Sequence, residues 1–170
     1  SAELYYCDFI ENVAEGEGAG GAIMFRDGIE AEASYCRFIG NRTEWGGGAI
    51  YIAGRANCNL HHNLFLKNSS QRVGGVISLS QNMGEQPLII AHSTFLENWS
   101  EGGEHQSHIA NVPNGASMYI TSSILWGPSP HFFNDDNVAV VYSQTSEDFR
   151  GQGNSERNPD LFLLDSTWAL

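Results

Sequence analysis

The sequence predicts an all-β fold, a parallel β-helix (solenoid) of about five coils with three short strands per coil and no significant helix. Three observations carry this reading. A motif occurs five times at a nearly fixed interval, apolar residues inside each copy alternate with period two, and 19 glycines are spread along the 170 residues instead of gathering in a linker. With 41% of residues apolar and 16% charged, there is material for one continuous core, so residues 1–170 read as a single domain.

The first element is the anchor strand. Cys7-Asp8-Phe9-Ile10-Glu11-Asn12 recurs as Cys36-Arg37-Phe38-Ile39-Gly40-Asn41, as Asn63-Leu64-Phe65-Leu66-Lys67-Asn68, and as Ser93-Thr94-Phe95-Leu96-Glu97-Asn98; a degraded fifth copy is Ser122-Ser123-Ile124-Leu125-Trp126-Gly127. The anchors Phe9, Phe38, Phe65, Phe95 and Ile124 lie 29, 27, 30 and 29 residues apart, too short a period for a domain. The second element follows 12 or 14 residues after each anchor, where small residues lead into an aliphatic one: Gly20-Gly21-Ala22-Ile23, Gly47-Gly48-Ala49-Ile50, Gly74-Gly75-Val76-Ile77 and Gln106-Ser107-His108-Ile109. The next inward side chains are then Phe25, Ile52 and Leu79, with Asn111 in the fourth copy. The third element precedes the anchor and places Leu4, Ala33, Leu60, Ile90 and Tyr119 in one column and Ala31, Cys58, Leu88 and Ser117 in another.

Strands this short have no room to pair within their own coil. They pair with the equivalent strand of the next coil, at the parallel-strand spacing of about 4.8 Å, which stacks like residues above like. Asn12, Asn41, Asn68 and Asn98 then form a ladder at one corner, each amide bonding to the next and tolerating a left-handed backbone; generic turn usage is the alternative reading. The pairs Gly20-Gly21, Gly47-Gly48 and Gly74-Gly75 make a second corner where positive φ would penalise a Cβ.

These motifs resemble those of the chlamydial polymorphic outer membrane proteins and of the wider right-handed parallel β-helix, pectate-lyase-like superfamily. The tail, with Val141-Tyr142-Ser143, Gly151-Gln152-Gly153-Asn154, Asn158-Pro159-Asp160-Leu161-Phe162 and Trp168-Ala169-Leu170, is similar to the closing segment of large secreted bacterial β-helix proteins. The resemblance implies a right-handed coil, a secreted or cell-surface location, and a loop-rich closing segment over 128–170 in which Pro128, Pro130 and Pro159 cannot extend a ladder. It implies no single activity, because lyases, hydrolases, adhesins and passive stalks share the fold.

The candidate sites each have two readings. Cys7 and Cys36 share an inward column that Asn63, Ser93 and Ser122 continue; small core side chains fill such a column, while stacked Cα atoms about 5 Å apart also fit a disulfide. Glu15, Glu44 and Glu101, with Gln71 between the last two, form an outer acidic column, either a solvated face or a calcium site of hard oxygen ligands. Trp45, Tyr51, Trp99 and Trp126 offer flat faces for stacking on sugars, or fold back as local packing. Arg37 one coil above Asp8 reads as a surface ion pair. His61 and His62 read as a pair split between the two faces of a strand, with no identifiable carboxylate partner.

A formal charge of −12 repels phosphate backbones and anionic lipid, so nucleic acid is excluded as a partner, and no apolar run is long enough for a spanning helix. No cofactor is required, calcium being the one the acidic column would admit. The leading functional reading is a non-catalytic stalk, adhesin or extracellular filament element that touches polysaccharide. The alternative is a polysaccharide lyase or glycoside hydrolase with catalytic residues partly outside this chain. Leu4, Cys7 and Phe9 end the core column abruptly and are expected to contact flanking coils or a second copy end to end.

Overall fold

The computed structural model describes residues 1–80, 86–102, 107–127, 132–133, 137–146 and 151–157. Among them there is no helix, and every strand pairing is parallel. The architecture is a β-solenoid of four parallel sheets.

Sheet A stacks Ala2–Tyr5, Glu30–Ser34, Asn57–His61, Leu88–Ala91, Met118–Thr121 and Val138–Val141. Sheet B stacks the anchor strands Asp8–Ile10, Arg37–Ile39, Leu64–Leu66, Thr94–Leu96, Ile124–Trp126 and the short Gln144–Thr145. Sheet D holds the strands after the glycine corner, Ile23–Phe25, Ile50–Ile52, Ile77–Leu79 and Ala110–Asn111. Sheet C was not expected: Val13–Ala14, Arg42–Thr43, Ser69–Ser70 and Trp99–Ser100 follow the asparagine corner directly. Two residues leave no periodicity to read, yet the last three each begin with an inter-coil bond, as from Arg42 N–H to Asn12 O at 2.8 Å, so a coil has four strand segments and not three.

The core runs along the axis. Phe9, Phe38, Phe65 and Phe95 stack with centroids 4.8, 4.9 and 4.6 Å apart and nearly parallel planes, the repeat that strand spacing imposes. Phe95 pairs with Leu125, not with Ile124. The fifth copy therefore slips by one residue, and since side chains alternate, the slip exchanges faces: Ile120 and Met118 are buried where Tyr119 and Ser117 were expected, and Ser123, not Ser122, continues the Cys7 column. The fourth glycine-corner copy slips likewise. Ile77 pairs with Ala110, so Ala110 and Val112 fill the column assigned to Ile109 and Asn111.

Within 128–170, the described strands Val138–Val141 and Gln144–Thr145 continue sheets A and B. Pro128, Pro130, Pro159 and the tail motifs from residue 158 onward lie outside the described residues.

Candidate functional site

At the corner between sheets B and C, Asn41 Nδ2 donates to Asn68 Oδ1 at 2.9 Å, Asn68 Nδ2 to Asn98 Oδ1 at 3.0 Å, and Asn12 Nδ2 to Asn41 Oδ1 at 2.8 Å. Each Oδ1 also accepts the backbone N–H of the asparagine in the preceding coil. Asn41, Asn68 and Asn98 are buried; Asn12 is exposed. The left-handed residue at this corner is the one before each asparagine, Glu11, Gly40, Lys67 or Glu97, with φ between 51° and 64°. That corrects the expectation that asparagine itself takes the left-handed conformation: its side chain reaches inward because its neighbour turns the chain.

The glycine pairs divide their work. Gly20, Gly47 and Gly74 have φ of 66–77°, but Gly21, Gly48 and Gly75 do not need positive φ. Those three are glycine because a Cβ would strike the backbone of the neighbouring coil, the Gly75 carbonyl in the case of Gly48.

The corner between sheets A and B carries the most distinctive surface of the molecule. Tyr6, Tyr35, His62, His92, Ser122 and Tyr142 occupy it with φ of 50–56°. Inter-coil bonds hold that backbone, from Tyr35 N–H to His61 O and from His62 N–H to Ala91 O at 3.0 Å. From Tyr35 onward the residue after each is buried and capped by a side chain of the next coil: Cys36 N–H donates to Asn63 Oδ1, Asn63 N–H to Ser93 Oγ and Ser93 N–H to Ser123 Oγ. The corner residues themselves project outward, and their rings stack. Tyr6 lies 5.1 Å from Tyr35, Tyr35 4.7 Å from His62, and His62 4.9 Å from His92. Tyr5 packs edge-on against Tyr6 and Tyr35. The result is an exposed ridge of rings parallel to the buried phenylalanine stack.

His61, at the end of its sheet A strand, joins this ridge. Its Nε2 lies 3.0 Å from Glu32 Oε1, one coil below, and its Nδ1 lies 3.0 Å from His62 Nδ1. The two histidines are thus together, with a carboxylate partner, because the left-handed turn at His62 breaks the alternation that would have sent them to opposite faces. The imidazolium form of His62 is disfavoured, first by loss of solvent against its neighbours and then by His92 and His61. Sequence reasoning missed the ridge, although its signal was present: Tyr6, Tyr35, His62 and His92 all stand three residues before a phenylalanine anchor.

The remaining candidates are dispersed. Glu15, Glu44 and Glu101 are all exposed; Glu44 Oε2 accepts from Gly16 N–H at 2.9 Å, and Gln71 separates Glu44 from Glu101. Among the described residues no group of three or more His, Cys, Asp or Glu side chains converges on a point. Trp99 is exposed on sheet C, and Trp45, two residues beyond that sheet's second strand, has the Arg72 guanidinium 4.0 Å over its ring. Tyr51 stands on sheet D and Trp126 on sheet B, at the end of a column of Ile10, Ile39, Leu66 and Leu96 in which the two leucines are buried, so the four aromatics do not share a face. Cys7, Cys36 and Cys58 are free thiols. Arg37 Nε donates to Asp8 Oδ1 at 2.7 Å, and this guanidinium holds the Asp8 carboxyl below its ordinary range. Leu4, Cys7 and Phe9 are partly buried and pack against the core.

Residues 35–53, from the ring corner through the second glycine pair, match the model of the Chlamydia polymorphic membrane protein (Chlamydia_PMP) repeat. No curated protein and no solved structure matches the chain.

Proposed function

We propose that this chain is part of a bacterial cell-surface protein in which the solenoid serves as an adhesin stalk, holding exposed side chains away from the membrane for contact with glycans. The observation that carries the reading is the repeat match. It falls on the second coil, and the columns of that coil run through the coils stacked on it, so the likeness to a membrane-protein repeat describes the unit from which the whole solenoid is built.

Within this reading Trp45 and Trp99 are the sugar-stacking candidates, being exposed in or beside sheet C; Tyr51 and Trp126 belong to other faces. Leu4, Cys7 and Phe9 are the surface on which a flanking coil or second copy would pack, supported by their partial burial where Ala33, Cys36 and Phe38 one coil later are fully covered. The acidic column remains a proposal for calcium, with Glu44 Oε2 also accepting from the Gly16 N–H.

The test is adhesion. Beads coated with the purified chain should bind glycan-bearing animal cells, soluble chain should compete, and enzymatic removal of surface glycans should abolish binding. Binding no greater than that of albumin-coated beads would overturn the adhesin reading.

A further inference from the structure

On the ring ridge two imidazole nitrogens, His61 Nδ1 and His62 Nδ1, face each other at 3.0 Å. We propose that His61 and His62 form a two-nitrogen chelate for a divalent transition metal of tetragonal preference, Ni(II) or Cu(II), with Glu32 as the residue that orients it.

The distance argues for this geometry. With metal–nitrogen bonds of about 2.0–2.1 Å, two nitrogens 3.0 Å apart subtend an angle of about 91–97° at the metal, whereas a tetrahedral ion would need them about 3.3–3.4 Å apart. Near-right angles between neighbouring imidazoles are the mark of square-planar or tetragonal ions, which disfavours zinc here.

The tautomers follow from the partners. Glu32 Oε1 accepts the Nε2 proton of His61, which leaves the lone pair on Nδ1, the atom facing His62. In the metal-free protein His62 Nδ1–H donates to that lone pair. On binding, His62 carries its proton on the exposed Nε2 instead, and both Nδ1 lone pairs point to the ion. No net proton is released by the ring exchange.

Position is fixed on both sides. The His62 ring lies between Tyr35 at 4.7 Å and His92 at 4.9 Å, and its backbone is bonded to Ala91 of the next coil. The net charge of −12 concentrates cations near the surface. With two protein nitrogens, water completes the coordination sphere.

The test is calorimetric titration of the 170-residue chain with Ni(II), which thiols do not reduce, on the parent and four variants. The parent should take up about one Ni(II) per chain. His61→Ala and His62→Tyr should lose it; His62→Tyr keeps a stacking ring at a φ that Tyr6, Tyr35 and Tyr142 already adopt, so its fold is retained and checked by an unchanged thermal midpoint. Glu32→Gln should weaken binding about tenfold or more, as loss of an orienting carboxylate does. His92→Ala should leave the stoichiometry unchanged, since His92 only stacks. Absence of uptake by the parent, equal affinity in His61→Ala, or loss in His92→Ala as complete as in His62→Tyr would each overturn the assignment, the first leaving an N–H···N hydrogen bond and nothing more.

Discussion

Replacing Asn68 by alanine removes four buried hydrogen bonds at once. Its Oδ1 accepts from Asn41 N–H at 3.0 Å and Asn41 Nδ2 at 2.9 Å, and its Nδ2 donates to Phe38 O at 2.9 Å and Asn98 Oδ1 at 3.0 Å. The damage is uneven. Asn41 Nδ2 keeps its bond to Phe9 O, and Asn98 Oδ1 keeps the Asn68 N–H, but the buried Asn41 N–H loses its acceptor. One orphaned buried donor costs about 1–3 kcal/mol and the other losses add to it, so the expected destabilisation is about 3 kcal/mol. For a chain of this length that lowers the midpoint of thermal unfolding by roughly 6–12 °C. Asn12→Ala is the internal control: its exposed side chain donates one bond, to Asn41 Oδ1, and its loss should cost below about 1 kcal/mol. Urea unfolding of both variants measures the difference. Because stacked coils are coupled chiefly to their neighbours, hydrogen exchange at the Asn41 amide reports the same loss locally. Equal costs for the two substitutions, or an unchanged Asn41 amide, would refute the reasoning.

Gly48→Ala should cost about 3 kcal/mol or more, since the new methyl meets backbone atoms of Gly75 and Ser69 that have no rotamer to change, while Gly16→Ala, with open space around it, should show only the left-handed penalty of about 1 kcal/mol; similar urea midpoints for the two would contradict the close approach of coils. Cys58 is 2% exposed, and burial pushes its thiol up from 9.0 to about 11. Its folded form holds the proton longer than its unfolded form, so the contribution is complete below about pH 9 and is lost as pH rises toward 11, roughly 2–3 kcal/mol in all. Urea titrations at pH 8 and pH 11 should show a steeper loss in the parent than in Cys58→Ala, and parallel losses would show that the thiol does not titrate with unfolding.

Stacking made the fold legible. When each coil repeats the last, a column in space is a fixed offset in sequence, so four phenylalanines and four asparagines announced their neighbours before any geometry was known. The same logic shows why the reading failed where it did. At the fifth copy two serines stand side by side, and aligning Ser122 with Ser93 put Ile124 in the anchor; the spacing of Met118, Ile120 and Leu125 against Leu88, Ile90 and Phe95 held the correct register. Sheet C was beyond periodicity because two residues alternate only once. The ring ridge was missed for a different reason: strand alternation assigned His61 and His62 to opposite faces, and a single left-handed residue cancels that rule.

Both non-glycine corners require a left-handed residue, yet they satisfy the requirement differently. One uses Glu11, Gly40, Lys67 and Glu97, with Lys67 Nζ 3.5 Å from Glu97 Oε2, and leaves recognition between coils to the asparagines beside them. The other uses mostly rings. A left-handed residue with a Cβ costs about 1–2 kcal/mol, and a stacked aromatic pair returns about 0.5–1.5 kcal/mol, so ring stacking along the ridge largely offsets the strain of the corner. Stacking alone therefore accounts for a column of flat side chains, and it accounts equally well for tyrosine or histidine. It does not distinguish them at position 62. What distinguishes them there is the neighbour: His61 has its Nε2 engaged by Glu32 and its Nδ1 turned toward the ring at 62, and only an imidazole at 62 answers with a second nitrogen. At position 62 the imidazole makes a nitrogen contact that stacking does not need.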